Sequence, residues 1–105
     1  MTNKEFAMVC GALRNRASNI LDQRAEAYAT DQDRLANFKE MSNRAGITQL
    51  QVVHLFLQKG LAVLDKIAQG KTPPGEEILD RFADALNYVQ LMYAVYVEQT
   101  NQKED

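Results

Sequence analysis

Glu77, Asp80, Asp84 and Asn87 lie at offsets of three, seven and ten residues. At 100° per residue these positions fall within about 80° of one another, so a helix places three carboxylates and an amide on one face. Tyr88, Leu91 and Val95 continue that face, which carries the ladder from the start of the helix into apolar surroundings. Carboxylates on an inward-turning face repel one another unless cations or hydrogen-bond donors neutralise them. One solution is Mg²⁺, which takes one or two carboxylates together with the phosphate oxygens of a substrate. The other is ion pairing within a helical bundle, with Arg24, Arg34, Lys59 or Arg81 as partner. Lys59 continues the row Val52, Phe56, Val63, so its ammonium emerges from an otherwise apolar stripe.

Other reactive side chains are isolated. His54 has no Cys or His at ligand spacing and reads as a surface or interface residue, and Cys10 reads as a small core residue beside an apolar stripe. A single cysteine excludes an intrachain disulfide and fits a reducing compartment, the cytoplasm. There is no Ser/His/Asp arrangement, glycine-rich phosphate loop or nucleophile elbow. Tyr88, Tyr93 and Tyr96 are spread around their helix as core or interface residues, any of which could stack on a base.

The elements that must position these groups are helical. Phe6, Val9, Leu13, Ala17, Ile20, Arg24 and Tyr28 recur at three- and four-residue steps and predict a first helix of about six turns, opened by a Thr2/Glu5 capping box. Thr30 or Asp31 can cap a second helix, which carries Leu35, Phe38, Met41 and Ala45 on one side and Asp33, Asn37, Glu40 and Arg44 on the other. Gly46 ends it. Thr48 and Gln51 spell a second capping box for a third helix running to about Gln69 and closed by Gly70. Pro73-Pro74 break the chain before a fourth helix from Glu76 to about Glu98. The fold class is all-α: an antiparallel four-helix bundle over residues 1–99, with 100–105 a frayed polar tail.

The chain of 105 residues has room for one core. Its net charge of −2, from 14 acids against 12 bases, argues against a surface that coats extended nucleic acid but leaves room for a local phosphate pocket. No signal peptide is read at the amino terminus, where Lys4, Glu5, Arg14 and Arg16 interrupt the apolar runs, and no stretch approaches a membrane span. Helices three and four are apolar over more than one face, more surface than two other helices readily cover, so a homo-oligomer is expected.

The segments Arg24–Tyr28 and Asp33–Phe38, the aliphatic helix around Lys59, and the pattern Asp80, Asp84, Asn87, Tyr88 together resemble a group of small phage and prophage helical proteins that includes the nucleotide-modification-associated family. The resemblance covers about residues 20–95. These proteins in turn resemble compact relatives of the MazG-like all-α nucleoside triphosphate pyrophosphohydrolases, which bind Mg²⁺ through acids on two helix pairs and are usually oligomeric. Glu77-x-x-Asp80 matches the second acidic motif of that superfamily. The first, Glu-Glu-x-x-Glu, is absent, and Asp33, Asn37 and Glu40 stand in its region as a weaker acid set.

The resemblance implies a nucleotide-binding protein and a possible hydrolase. In the enzyme reading Asp80, Asp84 and Glu77, helped by Glu40 or Asp33, hold Mg²⁺. Arg24, Arg34 and Lys59 contact phosphate oxygens, while Tyr28, Asn37 and Asn87 complete the nucleotide site. A second reading keeps the nucleotide and drops the chemistry, with the acids pairing the bases in a helical oligomer that sequesters its ligand. A third is a partner-binding helical protein that uses its surplus apolar face.

Overall fold

The computed structural model describes residues 1–28, 33–71 and 77–104, with the backbone alone at 26–28 and 102–104. Four helices make up the regular structure of these residues: α1 (Asn3–Tyr28), α2 (Ala36–Ala45), α3 (Gln49–Ala68) and α4 (Ile78–Glu104).

Both capping boxes form. The Thr2 N–H donates to Glu5 Oε1 at 3.3 Å and the Glu5 N–H to Thr2 Oγ1 at 3.1 Å. Thr48 and Gln51 repeat the exchange at the head of α3, at 2.8 and 3.1 Å. Each box satisfies two backbone donors that a helix start would otherwise leave open. Gly46 (φ 70°) and Gly70 (φ 80°) follow α2 and α3 in the left-handed region, where a β-carbon is strained.

Two helix ends differ from the expected ones. Helix α2 starts at Ala36, and Thr30 and Asp31 lie outside the described residues. Asp33 organises the entrance instead: its Oδ1 accepts from the Leu35 N–H at 3.0 Å, an aspartate turn that holds the chain before the first helical residue. Helix α4 runs to Glu104 rather than stopping near Glu98, so residues 100–104 are helical. No glycine or proline follows Gly75 to stop it, and the Thr100 hydroxyl donates to the Tyr96 carbonyl at 2.8 Å. Glu76, the expected first residue of that helix, lies outside the described residues.

Helix α4 is the hub. The substantial helix contacts among the described residues join α3 to α4, α1 to α4, and α2 to α3. Gly60 backs onto Ala85 and Phe56 onto Tyr88, so α3 and α4 run antiparallel. One core cluster (Leu35, Phe38, Val52, Val53, Leu91, Val95) joins α2, α3 and α4. A smaller one (Ala17, Ile20, Ala83) joins α1 to α4. Full burial of side chains of this size stabilises by about 1.5–3 kcal/mol each, which fixes the rotation of α4: Asn87, Leu91 and Val95 face inward. Asp80, Asp84 and Asn87 of the acid ladder therefore turn toward the core-facing side, as the continuation through Leu91 and Val95 requires, while Glu77 is exposed ahead of the helix. No single described helix is long and apolar enough to cross a membrane; α2 and α3 meet those limits only jointly, across a 99° bend.

Candidate functional site

The ladder starts with an ion pair between helices. Arg16 of α1 donates through Nε to Asp80 Oδ1 at 2.6 Å and through Nη2 to Oδ2 at 3.0 Å, a two-pronged contact that occupies both carboxylate oxygens. The hydrogen bond from Arg16, and then its charge, hold the Asp80 carboxyl below the usual carboxylate range against some desolvation. Asp33 is lowered likewise, first by the hydrogen bond from Lys39 (2.6 Å) and then by the Leu35 N–H. Lys39 also pairs with Glu98 of α4 at 2.7 Å. Both depressed carboxyls stabilise the fold above their unfolded pKa, and that stabilisation is lost as pH falls through the folded value. Thermal unfolding followed by circular dichroism is therefore expected to show a melting temperature that drops below about pH 4. Asp80→Asn should flatten that drop while lowering the plateau at neutral pH.

One turn further, Asp84 sits between two guanidinium groups, Arg24 Nη2 at 3.5 Å and Arg81 Nη1 at 3.8 Å. Glu77 is exposed ahead of α4, near enough to add to the charge that favours protonated Arg16. Glu40 pairs with Arg44 along the surface of α2 at 2.6 Å. The four carboxylates expected to share Mg²⁺ are thus not gathered. Among the described residues no group of three or more His, Cys, Asp or Glu side chains could hold a metal ion. Of the two ways of neutralising the ladder, the geometry carries ion pairing.

The basic residues meet at a different feature. The rings of Phe56 (α3) and Tyr88 (α4) stack with centroids 5.6 Å apart and planes 13° from parallel, and Phe38 meets Phe56 edge-on at 6.3 Å. Two cavities share these rings in their walls. One, of about 330 Å³, is lined also by Arg24, Arg34 and Asn37 with Phe38, Met41 and Leu91. The other, of about 180 Å³, is lined also by Lys59, Gly60, Val63, Arg81 and Asp84. Phe56 and Tyr88 belong to both walls. Lys59 Nζ lies 5.8 Å from the Phe56 centroid, a distance at which an aromatic face attracts a cation. A third, mainly apolar hollow of about 260 Å³ opens behind Phe56, between Met41, Ile47, Val52 and Leu55.

Of the residues singled out as nucleotide contacts, Arg24, Arg34 and Asn37 line the first cavity and Lys59 the second. Asn87 lines neither. It is 1% exposed, its Nδ2 donates to the Ala17 carbonyl at 3.0 Å and its Oδ1 accepts from Gln90 Nε2 at 3.1 Å, so its amide is engaged inside the protein. The Tyr28 side chain lies outside the described residues. His54 is exposed and Cys10 is free and half-buried.

Two participants escaped the sequence reading. Arg16 stands three residues after Leu13 and four before Ile20, beside the buried stripe, which was the available sign that it faces α4. Phe56 read as a core position, and its pairing with Tyr88 depends on the register of α3 against α4, which no local pattern encodes.

Compared with known proteins, the chain matches no family model, no curated protein and no solved structure. Its own geometry defines an all-α, four-helix protein in which an aromatic stack shares two cavities with cationic side chains.

Proposed function

We propose that this chain is a nucleotide-binding protein that works as a homo-oligomer, and that it holds its ligand rather than hydrolysing it. The observation that carries the reading is the Phe56/Tyr88 stack with Arg24, Arg34 and Asn37 in one of the cavities it lines and Lys59 in the other. Aromatic faces accept a base of any identity, guanidinium forks match phosphate oxygens, and an amide can read a base edge. The larger cavity, about 330 Å³, falls within the usual range for small-molecule sites. The segments that resemble the small phage helical proteins supply much of this lining, namely Arg24, Arg34, Asn37, Phe38, Asp84 and Tyr88. That is consistent with a ligand of the same class and a cytoplasmic setting.

The donor set does not fit the Mg²⁺ centre of the pyrophosphohydrolases. Asp80 is taken by Arg16 and Glu40 by Arg44. Asp84 is left as the ladder carboxylate that lines a cavity, and it is flanked by two arginines.

Calorimetric titration in EDTA with a panel of ribo- and deoxynucleoside mono-, di- and triphosphates tests this. Saturable binding is expected without metal. Arg34→Ala and Lys59→Ala should each weaken it about 10- to 150-fold, the loss of one charged contact of about 1.5–3 kcal/mol. Arg34 is the better probe, because among the described residues its one other bond is a long 3.3 Å donation to the Leu21 carbonyl. If no nucleotide binds, the reading fails. Release of pyrophosphate on adding Mg²⁺ would overturn its non-catalytic half.

A further inference from the structure

Helix α4 has three apolar faces and two of them are covered. Ala83 and Asn87 meet α1, and Ala85 and Tyr88 meet α3. The third face carries Leu79, Phe82, Leu86, Val89, Tyr93 and Tyr96, at steps of three, four, three, four and three. That alternation of three and four residues is the spacing of a seam along which one α-helix packs its side chains into another. Leu86 reaches the edge of the α1 cluster, but Phe82 is 40%, Val89 52%, Tyr93 68% and Tyr96 55% exposed. A solvent-facing stripe of this kind normally carries charge, yet residues 85–97 contain none.

The dimensions of the chain support a missing partner. Its accessible surface of 7678 Å² exceeds by about 1,700 Å² what a compact monomer of 11.9 kDa exposes. Its radius of gyration, 15.9 Å, exceeds the roughly 13 Å of a compact chain of this length. A standard interface removes about 800 Å² from each partner, so the excess is ample for one. The first turns of α1 add to the surplus, with Phe6, Met8 and Val9 each more than half exposed.

We propose that the α4 seam is where two copies of this chain meet, α4 against α4 about a twofold axis. The proposal rests on the self-association put forward above and gives it a surface. A twofold contact must be complementary to itself, and an uncharged seam satisfies that because no residue from 85 to 97 meets its own charge in the partner. From Leu79 to Tyr96 the seam is about 26 Å long, enough for more than two heptads of interlocking side chains. It lies on a different side of α4 from Asp84 and Tyr88, so assembly leaves the aromatic groove open to its ligand.

Light scattering coupled to gel filtration, on the full chain, is expected to give twice the 11.9 kDa chain mass. Val89→Glu and Tyr93→Glu should give one chain mass, with unchanged helical circular dichroism and unchanged nucleotide affinity. In a Cys10→Ser background, Val89→Cys should cross-link two copies on oxidation, a readout that needs no destabilising charge. A wild-type chain that stays at one mass at high concentration removes the self-association itself. A wild-type oligomer that survives both glutamate variants and fails to cross-link leaves self-association standing and overturns the seam. A monomer that binds phosphatidylcholine vesicles through Val89 and Tyr93 also overturns it.

Discussion

Asn87→Asp is expected to cost about 3–5 kcal/mol at neutral pH, because it puts a charge at a buried position where the Gln90 amide is the donor that reaches it. That is a large share of the roughly 5–15 kcal/mol that holds a domain together. The amide of Asn87 is 1% exposed and its Nδ2 donates to the Ala17 carbonyl. The substitution replaces that donor with an oxygen facing an oxygen. Burial raises the pKa of the introduced carboxyl in the folded state, so the neutral form, which can donate to Ala17, is favoured on acidification. The deficit relative to wild type is therefore largest above the ordinary carboxylate range and shrinks as pH falls through the raised value. Urea unfolding of both proteins from pH 7 to pH 4 measures it. Asn87→Ala, which adds no charge, should cost about 1–3 kcal/mol with no such pH trend. An Asn87→Asp variant as stable as wild type would mean that the amide is not sealed between α1 and α4, and would return it to the list of ligand contacts.

Phe56→Ala is expected to weaken ligand binding and the fold together. The ring forms part of all three hollows and stacks on Tyr88, so its removal merges spaces that are now separate. Loss of one base-stacking surface corresponds to about 1–3 kcal/mol, or roughly 5- to 150-fold in affinity. Stability should fall as well, by about 3 kcal/mol, the lower end for a phenylalanine truncation because Phe56 is only half-buried. Tyr88→Phe keeps the stacked face and serves as the comparison, with affinity and melting temperature expected near wild type. Calorimetry below the variant's melting transition separates the two effects. If Phe56→Ala binds a nucleotide as tightly as Tyr88→Phe, the ligand does not stack on this wall.

Whatever depends on a few neighbouring residues was legible in the sequence. Thr2/Glu5 and Thr48/Gln51 announce their capping boxes because all the partners lie within one turn, and Gly46 and Gly70 mark helix ends because few other residues tolerate a positive φ. The inward turn of the acid ladder was legible too, since Leu91 and Val95 continue it into the core. Its chemical meaning was not. Whether Asp80 faces a metal, Lys59 or Arg16 depends on where α1 crosses α4, which a contact 64 residues long in sequence decides. The covered faces of α4 were also hidden. A helix apolar over more than one face points to surplus apolar surface without saying which face is left open, so exposed Phe82, Val89, Tyr93 and Tyr96 could not be told apart from buried Ala83 and Ala85.

The dependence of α1 on α4 also bears on how the chain is made. Among the described helices α4 is the one substantial partner of α1, and Ala17 waits 70 residues for Asn87. The α3–α4 hairpin closes through near neighbours and can form early, whereas α1 has almost nothing to dock on until α4 has left the ribosome. During synthesis its apolar stripe from Leu13 to Ile20 stays uncovered until α4 arrives. Slowing translation before Ile78 should therefore raise capture by chaperones.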